Sequence, residues 1–430
     1  MRAGLAVAVF VTAYLLIATE RVHRVTAALA GAAGMVLIGA VRADDMFFSQ
    51  RTGVDWDVVF LLLGMMLLVG VLKQTGVFEY LAIWAAKRAR GRPFRVMALL
   101  VVITAVASAL LDNVTTVLLV APVTLLVCDR LGLRPAPYLI AEALASNIGG
   151  TATLIGDPPN IIIASRGGLS FNAFLIHLAP IAFFLVGVLL LLCRWLFRRE
   201  FHHDPERAAG VMELAEREAI RDPRLLRRTL GVLVLVMLGF VLQPVLHLEP
   251  AVVALLGAGL AVLLARRPVG DLLVEVEWET LVFFMGLFVM VGGLVATGVI
   301  DQVGRAATAA FGDRYLLAAT VLLFGSAAMS GIVDNIPYVA TMAPLVAGLV
   351  QAAPDQAKGS ALWWALALGA DLGGNATAVG ASANVVVTGI AARNGTPIRF
   401  WEFTRYGLVV ATVTVTLAWP YVWLRYLTGG

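Results

Sequence analysis

Charge is scarce in this chain. Of its 430 residues, 14% are Asp, Glu, Lys or Arg, where a soluble domain carries about 25%. Lysine occurs only at Lys73, Lys87 and Lys358, and none is followed by Ser or Thr. A GxxxxGK[ST] phosphate loop is therefore absent, so the chain is no ATP-driven pump by itself and any ATPase would be a separate partner. The two cysteines, Cys128 and Cys193, offer neither a disulfide framework nor a metal cluster. No GxGD element occurs, which argues against an intramembrane aspartyl protease.

What the chain has instead is apolar length. Hydrophobic residues make up 60% of it, too much for the cores of a water-soluble protein, and they recur in runs of about 18 to 25 residues. The implied partner is a lipid bilayer. A secreted enzyme, a soluble nucleotide-binding domain and a nucleic-acid binder are excluded, since the net charge of +4 comes from basic residues in short loops between apolar runs.

Apolar periodicity predicts spans over 5–19, 25–41, 56–73, 171–196, 230–246, 251–265, 278–297 and 400–423. Regions 137–165 and 363–392 are apolar but interrupted at mid-length by Gly, Pro, Asn and Thr, and read as broken helices. Regions 94–128 and 315–350 have a polar break at the centre. Each of their arms is about 15 residues, or about 23 Å, against a hydrocarbon core of about 30 Å. Both predict re-entrant hairpins.

Ten crossings and two hairpins divide the loops between two sides. The side reached after the first span, side B, collects 23 of the 32 Lys and Arg; side A collects eight, and Lys73 lies within a span, where it is expected to snorkel. By the positive-inside rule side B is cytoplasmic and both termini lie outside, in a multi-pass protein of the cell (inner) membrane. Only Arg2 precedes the first run, which reads as a span rather than a signal peptide. His202-His203-Asp204, in a charged linker, reads as solvated rather than as a metal site.

The sequence also repeats itself. A shift of 222 residues places Trp56 on Trp278, Gly64 on Gly286, Thr75-Gly76 on Thr297-Gly298, and Asp112-Asn113 on Asp334-Asn335. A shift of 224 places Gly149-Gly150 on Gly373-Gly374, Thr153 on Thr377, and Asn160 on Asn384. Matched Trp, Asp-Asn, Gly-Gly and Asn do not follow from an apolar composition. Each half holds five spans and one hairpin, and five is odd, so the second copy is inverted. The fold class is an all-α polytopic membrane protein with an inverted repeat and two broken helices. This is the architecture of secondary transporters. The halves are 1–199 and 229–430, joined by a cytoplasmic linker at 200–228.

Irregular backbone at membrane depth is tolerated only where it is buried in protein or lines a cavity, so the four breaks are the candidate site. The first hairpin supplies Asp112, Asn113, Thr115 and Thr116, and the first broken helix Asn147, Gly149, Gly150, Thr151, Thr153, Asp157 and Asn160. The second hairpin supplies Asp334, Asn335 and Thr341, and the second broken helix Asp371, Gly373, Gly374, Asn375, Thr377, Ser382 and Asn384. Gly permits close backbone approach and frees carbonyls for a cation; Asn and Thr supply neutral oxygens; helix N-termini suit an anion; Asp supplies a charge that must be paired or protonated. The tip aspartates and Asp371 read as coupling sites for Na+ or H+, with no other cofactor or metal. Single Asn and Thr residues also serve as interhelical glue, Asp157 reads equally as a helix cap, and Glu142, opposite Leu366 in the repeat, as structural. No Lys or Arg falls within the four breaks. An anion would therefore rely on helix termini and co-bound cations.

The stretches LLDNVTTVLLVAPVTLLVCDRLGL, IAEALASNIGGTATLIGDPPNIIIAS, VDNIPYVATMAPL and GADLGGNATAVGASANVVVTGIA resemble the melanosomal P-protein branch of the arsenite-permease and sodium–proton antiporter family, in matching order over nearly the whole chain. The wider group includes sodium-coupled dicarboxylate carriers with Ser-Asn-Thr at each hairpin tip. Here those positions read Asp112-Asn113-Val114 and Asp334-Asn335-Ile336, which argues against dicarboxylates. The resemblance implies a homodimer, an arsenite-permease-like or sodium–proton exchanging transporter rather than an enzyme, and an elevator-type motion. Scaffold spans at 1–92 and 229–313 would carry mobile hairpins and broken helices at 93–170 and 314–394, with closing spans at 171–199 and 395–430.

Overall fold

In the computed structural model, which describes residues 1–19, 21–49, 51–201, 205–212, 216–266 and 268–428, nine principal helices of the first half are answered by nine of the second. The first set is α1 (Arg2–Ala18), α2 (Arg24–Leu37), α3 (Trp56–Gln74), α4 (Val77–Arg88), α5 (Pro93–Leu110), α6 (Asn113–Leu131), α7 (Pro135–Gly150), α8 (Pro158–Gly167) and α9 (Ala179–Leu196). The second is α10 (Pro223–Val241), α11 (Pro250–Ala265), α12 (Trp278–Ala296), α13 (Val299–Phe311), α14 (Tyr315–Ile332), α15 (Asn335–Gln351), α16 (Gln356–Gly373), α17 (Ser382–Arg393) and α18 (Phe400–Val422). No strand occurs among the described residues.

The helix starts follow from local chemistry. Pro93, Pro135, Pro158, Pro223 and Pro250 open helices where the missing N–H costs nothing. Asp55, Asp112, Asp222, Asp334 and Asp355 cap α3, α6, α10, α15 and α16 by accepting backbone N–H bonds. Gly76 (φ +80°) and Gly298 (φ +75°) turn the chain at equivalent places, in the left-handed region that a side chain disfavours.

The halves interlock through these repeats. A Cβ on Gly64 of α3 would lie 2.8 Å from the Ala254 carbonyl carbon on α11, and one on Gly286 of α12 would lie 2.9 Å from that of Ala28 on α2. Each half's third span therefore packs at backbone distance on the other half's second span. The broken helices run through the middle: from Ala136 to Gly150 on α7, and from Ala361 to Gly373 on α16, every residue is buried. Helices enclosed on all sides read as apolar all round.

Four details differ from the sequence expectation. Helices α4 and α13 were not expected as elements of their own; α13 buries none of its side chains and alternates apolar and polar faces, the pattern of a helix lying along a membrane surface. The hairpin arms have 18, 19, 18 and 17 residues, about 27 Å each. Three of the four arms are thus long and apolar enough to cross a membrane, so arm length does not mark a re-entrant hairpin; what the structure shows is that the tips are buried against the broken helices. The run at 171–196 divides at Leu178 into Phe171–His177 and α9, with Pro180 in the first turn of the latter. Lys73 does not simply reach for solvent: it pairs with Glu275 at 2.5 Å. The His202-His203-Asp204 motif lies outside the described residues.

Candidate transport site

The four breaks meet at the centre of the molecule, and the repeat recurs there bond for bond. Asn160 Nδ2 donates to the carbonyls of Gly150 (3.4 Å) and Thr153 (3.1 Å); Asn384 Nδ2 donates to those of Gly374 and Thr377, both at 2.8 Å. Thr153 Oγ1 donates to the Ala109 carbonyl and Thr377 Oγ1 to that of Gly331, tying each broken helix to its hairpin. Ser108 and Ser330 repeat the link at 2.6 Å, to the carbonyls of Ser146 and Ala370.

These bonds revise the roles of several residues. A Cβ on Gly149 would meet the Ala105 carbonyl oxygen at 2.2 Å, and one on Gly373 would meet Ala327 Cα at 2.4 Å. None of the break glycines has a positive φ. They are small so that the hairpins can touch the broken helices, and the Gly150 and Gly374 carbonyls are held by asparagine amides rather than left for a cation. Thr151 donates to the Asn147 carbonyl and Thr341 to that of Pro337, each within its own helix.

The halves are joined by amides. Asn147 accepts from Asn113 Nδ2 at 3.1 Å and donates at 3.0 Å to Asn375 Oδ1 and Asn384 Oδ1. Across the site, Asn335 Nδ2 reaches both Asp157 oxygens at 3.3 and 3.4 Å. Asp157 stands at the start of α8, yet its side chain does not cap that helix. It lies within electrostatic reach of Asp371, Asp334 and Asp112. Asp112 and Asp334 both cap: Asp112 accepts from Thr115 N at 2.7 Å, and Asp334 from Ile336 N at 3.0 Å and from the Ser382 hydroxyl at 2.6 Å.

Asp371 is different. It is 0% exposed, and neither carboxylate oxygen has a hydrogen-bond partner among the described residues. The side chains of Asn160 and Thr151 face the carboxylate as weak hydrogen-bonding neighbours that fall short of full hydrogen-bond geometry. Asn160 Oδ1, Asn113 Oδ1, Asn375 Nδ2 and Thr116 Oγ1 are also buried without a partner. Buried polar atoms are normally paired; half of the unpaired ones among the described residues lie at the breaks, the others being on Gln74, Thr104, Glu142, Thr229, Glu277 and Thr404. The other oxygen of Glu142 accepts from Thr124 between α6 and α7.

A cavity of about 750 Å³ leads from side B to the second hairpin tip, between Arg24, Glu277 and Thr280 on one wall and Asp334 and Ser382 on the other. Arg24 opens α2, far from every break in sequence. Its Nη1 donates to Ser382 Oγ at 3.0 Å. The breaks themselves hold no basic residue, but the fold brings one to them, and nothing in the local sequence announces it. The inverted counterpart on side A, lined by Asp57, Ser165 and Glu249, measures about 360 Å³ and is not lined by Asp112.

An inverted helical repeat with buried hairpin tips, two broken helices and a polar centre defines a multi-pass membrane transporter. The chain belongs to the CitMHS family, described as citrate transporter, whose model matches residues 14–369. It is 58% identical over 426 residues to an uncharacterized transporter of Mycobacterium tuberculosis, covering 99% of both chains. It is 57% identical over 423 residues to a 46 kDa membrane protein of Mycobacterium leprae, covering 98% and 99%. The human P protein is 34% identical over 504 residues, covering 99% of this chain and 60% of that protein. Among solved structures, the YdaH transporter of Alcanivorax borkumensis shares the fold with a TM-score of 0.57 at 17% identity, covering 85% and 84%.

Proposed function

We propose that the chain is a cation-coupled secondary active transporter of a small anion. Asp371 carries this reading. An ionised carboxylate at that depth, with no well-formed hydrogen bond, is too costly to stand alone. It holds a proton or has a cation beside it, and Asp157, Asn160 and Thr151 supply the remaining oxygens. The family's description as citrate transporter supports an anionic cargo, with the co-bound cation offsetting the acidic centre. Alternating access would move the hairpins and broken helices, 93–170 and 314–394, against scaffold spans in a homodimer. The cavity on side B fits a state open to the cytoplasm of the cell membrane, with both termini outside.

A second reading, sodium–proton exchange, is favoured by the grouping of Asp112, Asp334 and Asp371 around Asp157, which provides for cations alone. Proteoliposomes with imposed Na+ and pH gradients separate the two. Gradient-driven uptake of citrate, arsenite or another small anion supports the first reading. Na+-driven proton movement with no anion present supports the second. Anion flux that ignores both gradients would refute coupling altogether.

A further inference from the structure

Arg24 is half-buried on the wall of the side B cavity. Its Nη1 donates to Ser382 Oγ at 3.0 Å, and that hydroxyl donates to Asp334 Oδ2 at 2.6 Å. Its Nη2 reaches Thr280 Oγ1 at 3.4 Å, and that hydroxyl donates to Glu277 Oε2 at 3.1 Å. The guanidinium carbon lies 5.6 Å from the centre of the Phe283 ring. One cation thus addresses two carboxylates through two hydroxyls, with no direct ion pair among the described residues.

The two arms of this relay belong to different bodies. Arg24, Thr280 and Glu277 sit on scaffold helices α2 and at the start of α12; Ser382 and Asp334 sit on the second broken helix and hairpin. The inverted half lacks the device. The Gly64–Ala254 and Gly286–Ala28 contacts pair α2 with α11 at a shift of 226, so Pro250 occupies the place of Arg24. Pro158 and Val58 take those of Ser382 and Thr280. Among the described residues, a cation relayed to a tip carboxylate therefore occurs on side B, beside the larger of these two cavities.

We infer that Arg24 is a tethered counter-ion for Asp334, serving it through Ser382 when no mobile cation is bound and displaced when Na+ or a proton arrives. This rests on the coupled-transport reading above. While the relay is closed, the mobile body is held to the scaffold on side B; when the mobile cation neutralises Asp334, the hold weakens and the body can move. The coupling ion and release from the scaffold are then one event. The other ionisable groups facing this cluster are Glu277 and Glu279 at the start of α12, His23 beside Arg24 and 3.4 Å from Glu279, Asp157 at the start of α8, Asp112 at the other tip, and Tyr14 on α1.

The test is thermal melting of the purified full chain in detergent. Na+ is titrated against choline at fixed pH, and pH is then titrated at fixed Na+; a cation that binds the folded state raises the melting temperature. Removing a positive charge near a carboxylate should strengthen cation binding there by about tenfold, read in Arg24→Gln as a lower half-saturating Na+ concentration or as a midpoint about one pH unit higher. Ser382→Ala, which cuts the relay and leaves Arg24 in place, should shift the same way. Arg24→Lys should stay near wild type, and Asp334→Asn should abolish the effect of Arg24→Gln. Wild-type midpoints retained in Arg24→Gln and Ser382→Ala, or weaker cation binding in them, would overturn the inference. A wild-type protein insensitive to both Na+ and pH would instead overturn the coupling reading on which it rests.

Discussion

Asn147 and Asp371 occupy the same place in the two inverted halves, 224 residues apart, and only one of them is hydrogen-bonded. The Asn147 amide has partners at both ends, whereas the Asp371 carboxylate has none among the described residues. The near-symmetric framework thus departs from its symmetry at two buried acids, Asp371 opposite Asn147 and Asp157 opposite Ala381.

Asp371→Asn should abolish cation-driven flux while leaving the fold intact, because a neutral amide removes an unpaired buried charge. Uptake under an imposed gradient, with melting of the same preparation, checks this. Coupled transport at wild-type levels in the variant would contradict the assignment.

Asn147 joins the first hairpin and the second broken helix, so Asn147→Ala should leave the acceptors Asn375 and Asn384 without their donor. Each such loss costs about 1–3 kcal/mol. The expected result is a clearly lower melting temperature together with loss of transport; an unchanged melting temperature would show that the amide network does not hold the halves together.

The tip aspartates separate capping from coupling. Asp112→Asn or Asp334→Asn should each eliminate coupled flux. Asp112→Ala should additionally lower stability by about 1 kcal/mol, since alanine cannot accept the Thr115 N–H bond. Flux and chemical denaturation measured on the same variants distinguish the two losses.

Gly149→Ala and Gly373→Ala place a methyl group against the hairpin backbone, where nothing can yield cheaply, and should cost about 1–3 kcal/mol or prevent folding. Gly259→Ala on α11, with no atom within 4 Å of the added carbon, is the control and should melt like wild type. Expression level and size-exclusion profile in detergent report the difference.

The duplicated Asp-Asn, Gly-Gly and Asn positions, together with the odd number of spans, made the inverted repeat and its four breaks legible in the sequence. They did so because apolar residues alone cannot repeat polar identities over such distances. Individual roles were less legible. Thr153 and Thr377 looked like ligands but hold hairpin to broken helix, a contact between segments 44 and 46 residues apart. Helices α4 and α13 are not legible as spans because they are only 12 and 13 residues long and carry mixed polarity. Arg24 counted only as one more positive charge on side B; its place beside Ser382 depends on a contact spanning 358 residues, which no local pattern encodes.

The interlocking of α3 with α11 and of α12 with α2 has a consequence for synthesis. The glycine faces of the first half are cut for surfaces that the ribosome has not yet made. Until α11 and α12 insert, Gly64 and Ala28 confront lipid tails, which cannot approach a bare backbone as closely as another helix does. The amino-terminal half therefore stays loosely assembled until α11 and α12 emerge to close these two seams.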